Sequence, residues 1–268
     1  MIHYKTDREI EILRENNLLV SKTLAELVEY IKPGVTTRKL DIIAEEYIRD
    51  HGSEPGFKGY NGFPNTLCTS VNGEVVHGIP SEYELIEGDI ISIDCGVINK
   101  GFYGDSAFTF PVGEVDEKVL KLLKYTRESL EKGVEKAVHG NRLGDISFAV
   151  QKHAESGGFS VVREMVGHGL GRNLHEQPEV PNYGNRNQGV KLKKGLVICI
   201  EPMINMGMKN ITQDPNGWTI RTMDNKASAH FEYAVAIDHG KADVLTTFRF
   251  IDEILKHKKY SNGETTIN

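Results

Sequence analysis

Two short stretches of this 268-residue chain close an apolar strand on an acid. Gly88-Asp89-Ile90-Ile91-Ser92-Ile93-Asp94 is one; Gly195-Leu196-Val197-Ile198-Cys199-Ile200-Glu201, 107 positions later, is the other. A carboxylate left without a partner in an apolar interior is costly, so two at matched places imply a shared task. Return stretches add Asp105, within Phe102 to Phe110, and Glu232, within Phe231-Glu232-Tyr233-Ala234-Val235. Asn99-Lys100-Gly101 reads as a hairpin turn. A two-residue loop at Asn99-Lys100 would set Asp94 directly opposite Asp105, with Cβ atoms about 5 Å apart. Opposed carboxylates repel, and without a cation one of them must stay protonated. If the halves meet, four carboxylates face one centre. Two divalent ions would balance them, and a neutral His168, in Gly167-His168-Gly169-Leu170-Gly171, would add a nitrogen ligand.

Taken singly, each acid reads as a surface or lysine-paired residue and each histidine as a satisfied core or loop residue. Four acids at repeat-related strand positions, with histidines in glycine-rich turns, are hard to explain by packing. Competing motifs are incomplete. The glycine-rich run around His168 lacks the spacing of a nucleotide loop, and there is no Walker A and no Gly-x-Ser-x-Gly. His175-Glu176-Gln177-Pro178 begins like H-E-x-x-H, but no second histidine follows.

The elements that must position these groups repeat as well. Apolar residues spaced by three and four predict a helix over residues 7–31, ended by Pro33-Gly34. Thr36 or Thr37 can cap a second helix that stops at His51-Gly52. Residues 53–66 read as a loop holding Phe57, Tyr60 and Phe63, a possible pocket wall. A short strand near Leu67 to Val71 precedes the first acidic strand. A third helix is expected over 116–138, and the segment from Gly140 mirrors the second helix, with Gly158 in the place of Gly52. Each half thus runs long helix, short helix, acidic strand, return strand: one domain of two related halves, with helices on one face of the sheet. Residues 205–229 read as loop-rich. A final strand pair is expected at Phe231 to Ile237 and Val244 to Phe250, and the last dozen residues read as a disordered tail.

Composition is that of a soluble globular protein, 39% hydrophobic and 26% charged. The net charge of −6 gives no reason to expect a nucleic-acid or anionic-membrane partner. Three cysteines without framework spacing fit reduced thiols in the cytoplasm; Cys95 and Cys199, beside the acidic strands, read as small buried hydrophobes. No signal peptide is expected at Met1 to Asp7, and no apolar run approaches the roughly 18 residues of a membrane span.

Glu74-Val75-Val76-His77-Gly78-Ile79-Pro80, Ile93-Asp94 with Gly104-Asp105, Gly167 to Gly171, His175-Glu176, Glu201-Pro202-Met203 and Gly217-Trp218-Thr219 together resemble the short bacterial, type I methionine aminopeptidases of the pita-bread metallopeptidase family. The resemblance runs in order from about residue 4 to 250. It implies an α+β pita-bread fold, two pseudo-symmetric halves sharing a curved antiparallel sheet with helices on the outer face. A single catalytic domain over 1–250 and a C-terminal helix and polar tail over 251–268 would follow.

The same resemblance implies removal of N-terminal methionine from newly made proteins and peptides with a small second residue, using two divalent ions (Mn, Fe(II), Co or Zn). Asp94, Asp105 and Glu232 would hold one ion, and Asp105, His168, Glu201 and Glu232 the other. Glu201 would accept the proton of the attacking water, His175 would bond the scissile carbonyl or its oxyanion, and His77 would hold the next amide nitrogen. Phe57, Tyr60, Phe63, Cys68, Leu174 and Trp218 would form the side-chain pocket, with Phe57 and Leu174 standing where many relatives carry other residues. Partners implied are nascent N-termini and, transiently, the ribosome surface, with the protein monomeric and cytoplasmic. X-Pro peptidases share the fold and ligands but normally carry a large N-terminal domain, for which a first site residue at 77 leaves no room. Non-catalytic pita-bread modules have lost ligands that are all present here. The 30 residues between Glu201 and Glu232 leave no space for the helical insert of type II relatives.

Overall fold

Helix α1 (Asp7–Leu27) begins at a reciprocal cap. Thr6 Oγ1 accepts from the Glu9 amide at 3.3 Å, and Glu9 Oε2 accepts from the Thr6 amide at 3.0 Å, satisfying two donors the first turn would otherwise orphan. The helix stops four residues earlier than its periodicity suggests, unwinding ahead of Pro33 and Gly34 (φ 87°). In α2 (Thr37–Asp50) the cap is Thr36, whose Oγ1 accepts from the Lys39 amide at 3.1 Å. Asp116 caps α3 (Glu117–Val134), and α4 (Leu143–Ser156) follows. Both short helices, α2 and α4, have 14 residues and end just before a glycine in the left-handed region, Gly52 and Gly158. The repeat read from the sequence is therefore present in the backbone. The computed structural model describes residues 1–261.

The first acidic strand, Ile90–Asn99, pairs with its return strand, Phe102–Pro111, through a two-residue turn at Lys100-Gly101. That turn sits one residue later than the sequence reading placed it. Lys100 (φ 51°) and Gly101 (φ 72°) both adopt positive φ, as a type I′ turn requires, so Asn99 stays in the ladder opposite Phe102. The register is corrected with it: Asp94 faces Ala107 and Asp105 faces Gly96. The two acids are diagonal neighbours on one face, not directly opposed. They remain close enough for each carboxyl to bear on the other.

Leu67–Val71 flanks the other edge of the first acidic strand, with Cys68 opposite Asp94. In the second half, Val197–Ile200 pairs with Tyr233–Ala236, and Gly167–Gly169 lies on its far side. The pairing of Ile200 with Tyr233, carried one residue further, brings Glu201 beside Glu232. The halves are sewn together where the Glu232 amide donates to the Ala107 carbonyl at 2.9 Å and Ser106 Oγ donates to the Glu232 carbonyl at 2.7 Å.

Ile91, Ile93, Cys95 and Val97 point away from the acids into one core with Val20, Leu24, Leu40, Leu122, Ile146 and Ile200. Helices thus cover the face opposite the carboxylates, as expected. Each such side chain contributes about 1.5–3 kcal/mol by leaving water. At Gly104 a side chain would come within 2.7 Å of the α1 backbone at Asn16; glycine lets the helix lie directly on the return strand that carries Asp105.

Three expectations are revised. The second member of the final strand pair is only Asp243–Val244. The chain then enters helix α5 (Arg249–Ser261), whose Arg249 amide is capped by Thr247 Oγ1 at 3.1 Å and whose Ile251 is buried. Arg127 of α3 clasps Asp252 with two hydrogen bonds of 2.8 and 2.6 Å. The predicted disordered tail is helical through Ser261, and the remainder of that prediction, residues 262–268, lies outside the described residues. The stretch 205–229 holds short strands, of which Ile220–Thr222 pairs with Glu74–Val76. Among the described residues no helix is long and apolar enough to cross a membrane.

Candidate active site

Asp105, Glu232 and His168 meet on the open face of the sheets, all buried, with Asp94 and Glu201 lining the same cavity. His168 Nδ1 lies 2.9 Å from the Gly169 carbonyl, which can only accept, so that nitrogen carries the proton and the Nε2 lone pair is left free. Nε2 faces Asp105 Oδ2 at 3.7 Å and Glu201 Oε1 at 3.5 Å. A lone pair turned toward two carboxylate oxygens is repulsive unless a cation or a carboxyl proton lies among them. Burial, first of all, pushes the carboxyls of Asp105, Glu201 and Glu232 well above the ordinary range, and the Asp94 carboxyl up to about 6. Burial likewise lowers His168 to about 3, keeping it neutral. Asp94 Oδ1, Asp105 Oδ1 and Glu232 Oε1 are buried and have no hydrogen-bond partner. Buried oxygens are almost always paired. An oxygen-rich donor set with one imidazole and three orphaned oxygens fits divalent cations.

The cavity above this cluster measures about 360 Å³. Its walls include every residue expected from the resemblance: Phe57, Tyr60, Phe63, Cys68, Leu174 and Trp218, with His77 and His175 at the sides. Trp218 arrives on the turn Asn216 to Thr219, where Asn216 Oδ1 accepts from the Trp218 and Thr219 amides, each at 2.9 Å. The indole meets the Phe63 ring edge to face, with centroids 5.1 Å apart. Tyr60 Oη lies 3.0 Å from His175 Nδ1, and the His175 ring packs edge-on against His168 at 4.4 Å. His77 is held at φ 59°, a conformation rare outside glycine and asparagine, and burial lowers its imidazole to about 4. Both histidines therefore present uncharged rings to the cavity near neutral pH, burial lowering His175 as well.

Four residues escaped the sequence reading. Cys199 is not merely a small hydrophobe: its Sγ lies within 4.8 Å of ligand atoms of Asp105, His168 and Glu232. Strand alternation, which puts 199 and 201 on one face, was the available signal. His230 sits two residues before Glu232 with Nε2 3.5 Å from Glu201 Oε2. Lys5 and Glu176 form a buried ion pair at 2.6 Å beside His175; no local pattern joins residues so far apart. A larger groove of about 640 Å³, lined by Lys136, Lys152 and Arg186 between α3 and α4, holds none of the site residues.

The sequence profile of metallopeptidase family M24 matches residues 11–239. The chain belongs to metallopeptidase family M24. This M24 chain is 50% identical to a methionine aminopeptidase of Clostridium perfringens over 93% of its own length and all of the relative's. It is also 50% identical to methionine aminopeptidase 1 of Bacillus subtilis, over 92% of this chain and 99% of that one. The crystal structure of methionine aminopeptidase from Rickettsia prowazekii superposes with a TM-score of 0.91 at 38% identity, covering 92% of this chain and 100% of that one. Prolidase from Pyrococcus furiosus shares the M24 fold more distantly, with a TM-score of 0.73 at 23% identity over 91% of this chain and 65% of the prolidase.

Proposed function

We propose that this M24 chain is a metal-dependent aminopeptidase that removes N-terminal methionine from newly made proteins and peptides with a small second residue. The observation that carries the reading is the buried cluster of carboxylates around the free Nε2 of His168, opening into an aromatic and thioether-compatible cavity. Two divalent ions would be held there, one by Asp94, Asp105 and Glu232, the other by Asp105, His168, Glu201 and Glu232. The chemistry such ions supply is neutralisation of charge and acidification of water toward neutral pH.

The chain's own groups do the rest. Glu201, lining the cavity, receives the proton of the attacking water. His175, with Tyr60 Oη bonded at Nδ1, turns Nε2 toward the scissile carbonyl and its developing oxyanion. His77 holds the next amide nitrogen. Phe57, Tyr60, Phe63, Cys68, Leu174 and Trp218 enclose the methionine side chain, whose sulfur makes favourable contacts with rings. The donor set suits Mn, Fe(II), Co or Zn alike by ligand type. The catalytic domain is taken as residues 1–250, followed by the C-terminal helix and tail. A monomer acting in the cytoplasm on nascent N-termini, with transient contact at the ribosome surface, completes the proposal; the three free, buried thiols support the compartment.

Cleavage of Met-Ala-Ser and Ala-Pro-Ala, on metal-stripped protein and after restoring each divalent ion, tests it. Metal-restored release of methionine alone is the expected result. Release only before proline would move the chain to the prolidase-like branch, and silence with every ion would sink the catalytic reading.

A further inference from the structure

His230 is buried beside Glu201 and belongs to neither proposed ligand set. It ends the short strand Ser228–His230, and one hydroxyl grips its main chain twice. Thr109 Oγ1 accepts from the His230 amide at 2.9 Å and donates to the His230 carbonyl at 2.8 Å. Ser92 Oγ, 2.8 Å from Thr109 Oγ1, completes that hydroxyl as donor. Ser92 and Thr109 face each other across the first-half hairpin, so the backbone of His230 is anchored to the sheet that carries Asp94 and Asp105.

Its side chain reaches the acids of both halves, with Asp94 of the first close enough to act on the imidazole. Nε2 is buried and has no hydrogen-bond partner, and Glu201 Oε2 lies 3.5 Å from it. The other oxygen of the same carboxylate, Oε1, faces His168 Nε2 at 3.5 Å. Glu201 is thus bracketed by two imidazoles, one per oxygen. The two rings differ in kind. His168 presents a lone pair, because its Nδ1 proton is spent on the Gly169 carbonyl; a protonated His230 Nε2 would give Glu201 Oε2 the donor it lacks. Buried donors are rarely left unpaired, and the carboxylates that hold metals are usually oriented by such an outer hydrogen bond.

We propose that His230 is a positioning residue for Glu201, donating from Nε2 to Oε2 and so keeping Oε1 turned toward His168. The inference rests on the metal-site reading above. It adds a link between the halves: Ser92 and Thr109 of the first hairpin set the orientation of a carboxylate on the second acidic strand.

The test uses the full chain, stripped of metal and titrated calorimetrically with Co(II), together with the visible spectrum of the Co(II) form and the separate values of kcat and KM. His230→Phe keeps a ring of similar size but removes the donor. It should weaken Co(II) binding by about 10- to 100-fold, shift the Co(II) spectrum, and lower kcat more than it changes KM. His230→Gln retains an N–H donor and should restore most of the affinity and the spectrum. Equal affinity and an unchanged spectrum in His230→Phe would overturn the proposal, leaving His230 as packing. A loss in His230→Gln as deep as in His230→Phe would overturn it in favour of His230 binding the ion itself. Should His230→Phe not fold, Thr109→Val, which loosens only the anchor, must still weaken Co(II) binding; unaltered binding there would also overturn it. Failure of the unaltered chain to bind Co(II) would instead sink the metal-site reading on which this one stands.

Discussion

Burial weighs most on the Asp105 carboxyl, and Glu232, Asp94 and Glu201 add like charge beside it. Its side chain is also shared between both proposed ion positions. Asp105→Ala should therefore lower kcat/KM by more than about 10³, the scale of losing a principal electrostatic group, while the far-ultraviolet circular dichroism stays native. Full activity in a well-folded variant would sink the two-ion site. Leu174 plays a different part. Its side chain is buried in the apolar cluster with Phe57, Phe63 and Cys68. Leu174→Phe should shift the preference among methionine, leucine and norleucine substrates by about 10-fold, typical of small changes in an apolar pocket, with metal content constant. Unchanged ratios would remove Leu174 from the pocket.

At the scale of elements, the hairpin shows what one turn decides. Moving the loop from Asn99-Lys100 to Lys100-Gly101 shifts the pairing sum by two, so both acids keep their face but become diagonal. A shift of one would have thrown one acid into the helical core. The segment bearing His175 is held differently, by the arm ahead of α1. Lys5 Nζ meets Glu176 Oε2 at 2.6 Å with both side chains buried, and the Lys5 amide donates to the Gly195 carbonyl at 2.6 Å. Lys5→Met would leave the Glu176 carboxylate buried and unpaired. It should cost about 3–5 kcal/mol of stability, read by urea unfolding, and raise KM through the loosened His175 segment. A neutral result would mean that the arm merely rests on the site.

For the whole molecule, the closely packed carboxylates make stability depend on both metal and pH. A divalent ion at one hundred times its Kd adds about 2.7 kcal/mol, and a chain of this size gains roughly 2–4 °C in Tm per kcal/mol. The sign with pH follows from Asp94, raised from 3.8 to about 6. A carboxyl raised on folding supports the fold below its unfolded value, and that support is lost as pH climbs through about 6. The metal-stripped protein should therefore weaken as pH rises from 3.8 to about 6. The gap in Tm between ion-loaded and stripped protein should widen over the same interval, and scanning calorimetry at several pH values checks it. A gap that narrows with rising pH would contradict the buried carboxylate cluster.

Much of this was readable in the chain, because it depends on local rules. Strand alternation singled out Asp94, Asp105, Glu201 and Glu232. Helical spacing and Thr-Gly punctuation located α1 to α4, and the 107-residue repeat implied two halves around one centre. The aromatics of the loop over 53–66 pointed to a wall, and Phe57, Tyr60 and Phe63 line the cavity. What stayed hidden depends on contacts between distant residues. A C-terminal helix was expected, but not its docking, in which Phe248 and Ile251 find room in the core and Asp252 finds Arg127. Lys5 reaches Glu176, and Thr109 anchors His230 beneath Glu201. Local sequence specifies which side chains share a face. Which faces then meet, and which hydrogen bonds remain to be satisfied, is decided only when the two halves close on each other.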